Sequence, residues 1–570
     1  MTGTIVDKSV KGYKYYYYVE SARVNGKPKY VNQVYLGTAE RVREMAVAYK
    51  TPLQEKALYH IEKSFGAESL IYDIASRQGI VQIIDDIVPK RKQGTSVGMY
   101  CLTEAINRAV SPTSTTGLQK WYSHTFLPMM TGIKTKLFNP QNFWNNTQCL
   151  TEEKLNEIED VMLRRMLGTY DIDTSHLIYD ATNFFTYIDT LSDNELAQRG
   201  HDKAKRDDLR TVGLALMIAP EYSIPLFYDV YPGNRADSSE FTTMVKKLKD
   251  HYEILTGKTA DVTITFDRGN NSESNIDLLE SGDIKLHYVG GLKKNQLPEL
   301  FAIPKSDYEP LTADNLAGCT AYRMNATIFK RKLVTVIVNN PKLEEGQLQG
   351  IMANREKAEA KLMKIQAALL CRASNGVKKG KRPTVESVTK SVKSSLKAEY
   401  MEDIYTYKIL EQDGNMYLTF AFNKEALEEI RETQLGKTAL FTDRSDYSND
   451  EIINAYRSAW HVESAFKQLK DTEHLAVRPF WHWSDEQIRV HIFVCILAYR
   501  LCCLIIKELN EHGIKTNINE LLKAMTELKI AETFFGSIDR PEKVRTFTKI
   551  DGLAQKVEEI YHLKEKYGVR

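Results

Sequence analysis

Between residues 174 and 291 the chain alternates short apolar runs with segments whose apolar positions recur every three or four residues. The short runs are rich in β-branched and aromatic residues, which favours buried strands, whereas the wider spacing favours amphipathic helices. Turn residues such as Pro220 to Ser223 and Pro232 to Asn234 separate neighbouring runs. The pattern predicts strands at 174–185, 209–219, 224–231, 261–267 and 284–291, and helices at 237–254 and 271–281.

Three antiparallel strands followed by helix, strand, helix and strand is the order of an RNase H-like α/β core. Such a core needs one more helix to close its site, and the sequence Ser448-Asn449-Asp450-Glu451 has the pattern of a capping box that begins a helix. A second box, Ser484 to Gln487, begins a helix that continues to near residue 509. We therefore predict an α/β fold, with an RNase H-like core (a mixed sheet with flanking helices) that is interrupted by a large insertion.

The rest of the chain predicts further units. Residues 13–36 contain two β-prone runs joined at Asn25-Gly26, a strong type I′ turn pair, and 39–165 is mostly helical in pattern. The interruption should contain strands near 318–338 and 404–422, a charged helix near 342–372 and a basic linker near 372–397. The predicted domains are an N-terminal hairpin and helical domain (1–165), the first part of the core (166–300), an insertion domain (301–445), the second part of the core (446–510) and a C-terminal helical region (511–570).

Composition adds a few limits to this picture. Hydrophobic residues make up 42% of the chain and charged residues 27%, which is globular and not disordered composition. The 77 basic and 75 acidic residues nearly cancel, so net charge does not indicate a partner. Local charge is more informative, because eight Lys or Arg and only two Glu lie between Arg372 and Tyr400. Such a stretch can hold nucleic-acid phosphates, although a solvated linker has the same composition.

Cysteine spacing and hydropathy indicate the compartment. The seven cysteines include no CxxC pair, which argues against a disulfide framework and a cysteine-based zinc site and fits a reducing environment. The N-terminus has no long apolar stretch, and the longest apolar run, Ile492 to Tyr499, is too short to span a bilayer. We expect a cytoplasmic protein without a membrane partner.

Three acidic residues are the candidate chemistry. Asp180 and Asp267 each end a predicted strand, and carboxylates at neighbouring strand ends can converge on a divalent ion. On the closing helix Tyr456, Glu463 and Lys470 are spaced seven apart, which places them within about 40° on one face. The alternative is that the two Asp are turn or cap residues and that Glu463 lies on an ordinary solvated face.

At this point several motifs resemble a known family. The three acids, with the helix YRSAWHVESAFKQLK at 456–470, resemble the DDE transposases of bacterial and archaeal insertion sequences. The resemblance is to the group with a Tyr-Arg-Glu-Lys signature, in which two, three and six residues separate the four positions. Further similar segments occur in the same order: YDATNFF, LRTVGLAL, FDRGNNSESN and RPFWHWSDEQIRVHIF.

The resemblance implies a function and a set of roles. Asp180, Asp267 and Glu463 would be catalytic residues and ligands of two Mg²⁺ ions per active site, with Mn²⁺ as a substitute. The activity would be cleavage at transposon ends and strand transfer into target DNA. The partners would be double-stranded DNA, both the terminal inverted repeats and the target, and a second copy of the chain in a synaptic homodimer.

One signature position departs from the family, because Ala459 stands where Arg is expected. Arg457 projects about 100° from Tyr456 on a helical wheel, whereas Lys467 projects about 20° from it, so we predict that Lys467 and Lys470 supply the phosphate-binding charge. We further predict DNA contacts in the core and in two basic clusters outside it. These residues are Tyr456, Lys467, Lys470, Arg268, Lys90, Arg91, Lys92, Lys379, Lys381 and Arg382.

Three other functions remain open from the sequence. A repair or structure-selective nuclease on the same fold would keep the three acids without binding paired transposon ends. A DNA-binding regulator derived from a transposase would not need them, so their presence argues against it. A glycoside hydrolase with two carboxylates is weakened by the third acid and by the basic helix face.

Overall fold

A computed structural model describes residues 3–24, 27–50, 58–189, 193–200, 208–252, 261–375, 381–478, 482–537 and 540–568. The chain divides into two compact units. The smaller comprises Met1–Phe65 with Glu527–Ile550, and the larger comprises Gly66–Thr526 with Asp551–Arg570. This division differs from the predicted boundary at residue 165, because the helices after Phe65 pack in the larger unit.

The strands of the described residues are numbered in chain order. They are β1 (Gly3–Val10), β2 (Tyr13–Val24), β3 (Lys27–Gly37), β4 (Tyr59–Ser64), β5 (His176–Thr186), β6 (Arg210–Ala219), β7 (Ile224–Pro232), β8 (Thr263–Phe266), β9 (His287–Leu292), β10 (Glu309–Pro310), β11 (Thr320–Ile328), β12 (Arg331–Asn339), β13 (Tyr405–Gln412), β14 (Asn415–Phe422), β15 (Lys437–Thr442), β16 (Lys529–Ser537) and β17 (Arg540–Phe547).

The α-helices of the same residues follow the same numbering. They are α1 (Ala39–Lys50), α2 (Gly66–Arg77), α3 (Ile80–Ile87), α4 (Val97–Val110), α5 (Thr115–His124), α6 (Leu127–Thr131), α7 (Pro140–Thr147), α8 (Glu152–Thr169), α9 (Asp237–Asp250), α10 (Glu273–Glu280), α11 (Pro298–Phe301), α12 (Pro341–Asn375), α13 (Val385–Ser395), α14 (Met401–Ile404), α15 (Lys424–Thr433), α16 (Asn449–Arg457), α17 (Trp460–Leu469), α18 (Asp485–Glu511), α19 (Ile518–Met525), α20 (Gly552–Tyr561) and α21 (Leu563–Tyr567).

A mixed nine-stranded sheet forms the centre of the larger unit, in the order β10-β11-β12-β15-β9-β8-β5-β6-β7. Strands β5, β6 and β7 pair antiparallel, whereas β5, β8 and β9 pair parallel. Parallel strands need crossover helices, and α9 and α10 occupy the two crossover positions. The elements between 176 and 292 therefore occur in the order that the hydrophobic pattern predicts.

The predicted insertion is only partly separate from this sheet. Strands β10, β11, β12 and β15 extend it, with β15 pairing antiparallel to both β12 and β9. A distinct apolar core, running from Ile351 to Leu435, packs α12 to α15 against the β13–β14 hairpin. The sequence pattern predicts that all of 301–445 belongs to the insertion. It cannot reveal the pairing between β9 and β15, because the paired residues lie too far apart in the chain for local periodicity.

The closing helix is two helices rather than one. The predicted capping box is present, since Ser448 accepts from the Glu451 N–H and Glu451 accepts from the Ser448 N–H. Helix α16 ends at Arg457 and α17 begins at Trp460, with tight turn bonds from Ala459 N to Tyr456 O and from His461 N to Ser458 O. Both residues of this break keep right-handed helical backbone angles.

Helix α18 is the longest apolar element of the larger unit. By length and mean hydropathy, 2.1, it could cross a membrane, because the helix extends well beyond the apolar run Ile492 to Tyr499. Its most apolar window is 94% buried inside the protein, as expected of a core helix. The buried Arg500 donates to Glu159 at 2.7 Å, and Glu508 accepts from Arg77, Tyr170 and Tyr561. These bonds pair Arg500 and Glu508 of α18, although Arg500 Nη1 and Glu159 Oε1 are buried without a hydrogen-bond partner among the described residues.

Two three-stranded antiparallel sheets form the smaller unit, β1-β2-β3 and β17-β16-β4. The predicted hairpin corresponds to β2 and β3, which pair up to Val24 and Lys27, while its turn at Asn25-Gly26 lies outside the described residues. The region 511–570 contains β16 and β17 and is therefore not entirely helical. Strand β4, which pairs with β16, lies near the N-terminal end of the chain, in a region whose pattern predicts no strand.

Candidate active site

One open cavity of about 700 Å³ brings the three predicted acids together. It lies beside β5 and β8, against α16 and α17. Asp267 directly follows β8, whereas Asp180 lies within β5, which continues to Thr186, so the prediction that Asp180 ends a strand is wrong. Three residues predicted as DNA contacts, Tyr456, Lys467 and Lys470, line it as well, whereas Arg268 does not. The lining residues are Tyr179, Asp180, Thr182, Asp267, Tyr456, Arg457, Ala459, Trp460, Val462, Glu463, Phe466, Lys467 and Lys470.

The two aspartates occupy matching positions of neighbouring strands. Strands β5 and β8 pair in parallel, and the last register pair joins Tyr179 to Phe266. Asp180 and Asp267 are the next residues on each chain, and paired strands lie about 4.8 Å apart. Asp180 is partly buried and accepts from the Ala181 N–H at 2.8 Å, whereas Asp267 is exposed. The fold therefore presents two carboxylates at one edge of the sheet.

Glu463 reaches the cavity from helix α17. It lies on the first turn of α17, is exposed to solvent and lines the cavity. Val462 and Phe466 form the buried face of the same helix.

The hydroxyl of Tyr456 interacts electrostatically with two of the three acids, Asp267 and Glu463. Burial raises the pKa of its hydroxyl, Arg268 opposes this by charge and hydrogen bonding, and the charges of Asp267 and Glu463 add to the rise. Its ring lies directly against Gly291 of β9, where a Cβ atom would overlap the phenol. Tyr456 is thus held beside two of the three carboxylates, with Arg268 as its cationic neighbour.

The basic residues of α17 differ in their surroundings. Lys470 Nζ donates to Thr182 Oγ1 at 2.6 Å and lies 5.3 Å from the centre of the Phe184 ring, so it contacts the strand that carries Asp180. Lys467 is exposed at the cavity wall. Arg457 also lines the cavity, but its guanidinium is directed to the Asn315 carbonyl at 3.4 Å and the Cys319 sulfur at 3.5 Å.

Comparison with known proteins assigns this region to a family. A family model described as a transposase DDE domain matches residues 171–501, which is more than half of the chain and contains every residue of the cavity. The chain belongs to the transposase DDE domain family. Family membership supports transposase function and DNA cleavage and joining as the class of reaction.

Other comparisons add little to this assignment. A cryo-EM structure of the piggyBac transposase synaptic complex with hairpin DNA aligns with 81% of this chain and 78% of its own, at 10% identity and a TM-score of 0.38. A search of curated protein sequences finds no match.

The DDE domain has the donor chemistry for divalent ions, although the ligands are not drawn together. No group of three or more His, Cys, Asp or Glu side chains lies close enough to hold a metal anywhere in the described ranges. Asp180, Asp267 and Glu463 nevertheless supply only carboxylate oxygens to one open cavity, and Mg²⁺ takes few protein carboxylates and keeps several waters. The residues therefore fit Mg²⁺ or Mn²⁺.

The predicted DNA contacts outside the core lie elsewhere on the DDE-domain protein. Lys90, Arg91 and Lys92 are exposed between α3 and α4, and none lines the cavity. Lys381 is exposed, Arg382 donates to the Gly414 carbonyl at 2.7 Å, and Lys379 lies outside the described residues. Their roles stay predictions.

Sequence reasoning missed two cavity residues. Thr182 anchors Lys470, and Trp460 is 57% exposed at the rim. Thr182 follows Asp180 by two residues, so strand alternation places both side chains on one face and could have identified it.

Proposed function

We propose that this protein is a cut-and-paste transposase that cleaves DNA at the ends of its element and joins them to target DNA. One observation carries the proposal: Asp180, Asp267 and Glu463 line a single open cavity inside the family domain, and the two aspartates directly follow the last parallel pair of β5 and β8. A phosphoryl-transfer site of this kind requires convergent carboxylates and needs no nucleophilic side chain. The element would be a prokaryotic insertion sequence of the Tyr-Arg-Glu-Lys group.

The three acids would hold two Mg²⁺ ions. When bound, such ions activate the attacking oxygen, either water or a DNA 3′-hydroxyl, and stabilise the leaving oxygen. The protein's own contribution is positional. Parallel pairing of β5 with β8 fixes Asp180 and Asp267 in register, and α17 places Glu463 on the wall of the same cavity, where a phosphate would enter.

The cavity wall would position the DNA backbone. Lys467 and Lys470 place two ammonium groups on the same side as Glu463, and Arg268 and Tyr456 supply donors beside Asp267. Phosphate contacts of this kind fix register without reading sequence. In this arrangement Lys467 does what the missing signature Arg would do.

The remaining predicted contacts would bind DNA outside the cavity. Lys90, Arg91 and Lys92, together with the segment that contains Lys379, Lys381 and Arg382, would hold the terminal inverted repeats. Two copies of the chain would pair the two ends in one synaptic complex. Electrostatic contacts of exposed Lys and Arg would make this binding strongly salt-dependent.

A reconstituted reaction separates this function from its competitors. The protein is incubated with Mg²⁺ and a plasmid that carries the genomic ends flanking its gene. A transposase cuts at those ends and gives products joined to target DNA. A nuclease cuts without regard to the ends and joins nothing, and a regulator binds the ends without cutting them. Either of the last two results refutes the proposal.

A further inference from the structure

We propose that a second cavity, next to the catalytic one, binds a single nucleotide of the DNA, with its phosphate and its base held on opposite walls. The inference rests on the proposed function only in taking DNA as the substrate. This nucleotide pocket has a volume of about 610 Å³. It lies between the α4–α5 turn, α7 and the segment that leads into α18.

One wall of the nucleotide pocket suits an anion. Arg108 is 4% exposed, and among the described residues its buried Nε has no hydrogen-bond partner, although the guanidinium also contacts Thr113 O at 2.5 Å and Glu104 at 3.6 Å. Arg478 Nε is likewise buried without a hydrogen-bond partner in the described part of the chain. A buried donor without a partner is costly unless a ligand or water satisfies it.

The start of helix α5 completes this wall. Thr113 to Thr116 line the pocket, and Ser114 at the helix start makes no side-chain cap. The Gly117 N–H bonds to the Ser114 carbonyl, which leaves the N–H groups of Thr115 and Thr116 for a ligand or water. No acidic side chain is among the described residues that line the pocket. Two guanidinium groups, a helix start and several hydroxyls make a site for a phosphate.

The opposite wall is aromatic. Trp144 packs edge-on against His482 with ring centres 5.1 Å apart, and Trp483 lines the pocket while remaining 64% exposed. Burial lowers the pKa of His482 to about 3, so this ring stays neutral and adds no charge. Proteins that bind single-stranded nucleic acid combine an exposed aromatic ring with a nearby phosphate site, and a base stacks on the ring.

The position of the pocket fits DNA that passes through the catalytic cavity. Arg478 lies 4.4 Å over the Phe185 ring, and Phe185 is five residues after Asp180 on β5. Five strand residues span about 17 Å, which is about five base-pair steps of duplex. Lys470 lines the catalytic cavity and Thr472 lines the nucleotide pocket, so one short segment borders both.

Photo-crosslinking tests the location directly. The full chain is irradiated with a short oligothymidylate that contains 5-iodouracil, and crosslinked peptides are identified by mass spectrometry. We expect crosslinks at Trp483 or Trp144, and the same crosslinks in Asp180→Asn, because the pocket does not depend on catalysis. Competition with thymidine monophosphate and with inorganic phosphate shows whether a free nucleotide or a bare anion suffices. Loss of the crosslink only with unlabelled oligonucleotide supports a DNA site, whereas displacement by phosphate alone at comparable concentration overturns it.

Substitutions separate the two walls. Trp483→Ala should weaken oligothymidylate binding about tenfold, the loss of one base stack, without changing the salt dependence. Arg478→Gln should lower the slope of log affinity against log salt by about 0.7, the loss of one phosphate contact, and Arg478→Lys should restore part of it. Arg165→Gln, on the exposed face of α8, is the matched control and should change neither.

The outcomes distinguish this inference from the proposed function. A chain that binds oligothymidylate and cleaves element ends, but crosslinks only outside the nucleotide pocket, overturns the pocket and leaves the transposase intact. A chain that neither binds nor cleaves DNA overturns both.

Discussion

Replacing Gly291 by Ala should displace Tyr456 from the candidate active site. A Cβ atom at this position would lie 2.7 Å from Tyr456 Cζ and would overlap the hydroxyl, whereas ordinary contacts are 3.4–4 Å. The ring must therefore move by about 1 Å, since β9 is paired on both sides and cannot yield easily. The movement disturbs the hydrogen bond between the phenol and Arg268.

The expected size of the effect follows from two separate costs. Overpacking of one methyl group in a packed region destabilises a protein by about 1–3 kcal/mol, which urea unfolding measures. A shift of about 1 Å in a group that positions substrate can cost about a hundredfold in rate. Single-turnover cleavage of DNA with the element's ends should therefore fall by about ten- to a hundredfold, with DNA binding much less affected.

Gly269→Ala is the matched control. It lies next to Arg268, and a Cβ there meets no atom within 4 Å. We expect this variant to cleave like the wild type. Wild-type cleavage by Gly291→Ala, with the predicted loss of stability, would show that the placement of Tyr456 does not matter for the reaction and would refute the role given to it here.

Three further predictions concern charge. Lys470→Ala should lower cleavage and strand transfer more than Lys467→Ala, because Lys470 is anchored to the strand of Asp180. Lys467→Arg should be more active than Lys467→Ala. Equal activity of Lys467→Ala and wild type would show that Lys470 alone positions the DNA phosphate. Burial raises the pKa of Glu508, but its bonds to Arg77 and two tyrosines outweigh this and lower it below its usual 4.5. The ionised Glu508 carboxylate therefore contributes its full stabilisation at pH values above 4.5, and this contribution is lost as the pH falls through its lower pKa in the folded protein. Glu508→Gln should therefore flatten the acid limb of a curve of unfolding free energy against pH. An unchanged curve would contradict this. Charge reversal across 90–92 and 372–397 should weaken binding to the element's ends and reduce its salt dependence, measured by titration at several salt concentrations, and unchanged binding would remove both clusters from the interface.

Local pattern was enough to predict the centre of the fold. The strands from β5 to β9 are apolar and separated by turn residues or helices, so their order could be predicted from the sequence. Asp180 and Asp267 lie at matching positions because parallel pairing sets β5 and β8 in register. That alignment follows from the predicted order of elements alone.

Features that depend on distant contacts could not be read in this way. Strand β15 inserts between β9 and β12, and β16 pairs with β4, across long separations that leave no periodic trace. The break at Ser458 and Ala459 contains no Pro or Gly, so nothing in the sequence ends the helix there. The nucleotide pocket draws residues from three distant segments, and only the fold brings them together.

The most direct test of the central claim is metal-dependent cleavage by variants of the three acids. Asp180→Asn, Asp267→Asn and Glu463→Gln are each assayed with Mg²⁺ and with Mn²⁺ on DNA that carries the element's ends, and Mn²⁺ binding is measured separately by electron paramagnetic resonance. Asp283→Asn, an exposed acid before β9, is the control. We predict that each of the three variants loses cleavage and weakens Mn²⁺ binding while still binding DNA, and that the control does neither. Full cleavage by any one of the three would contradict the account.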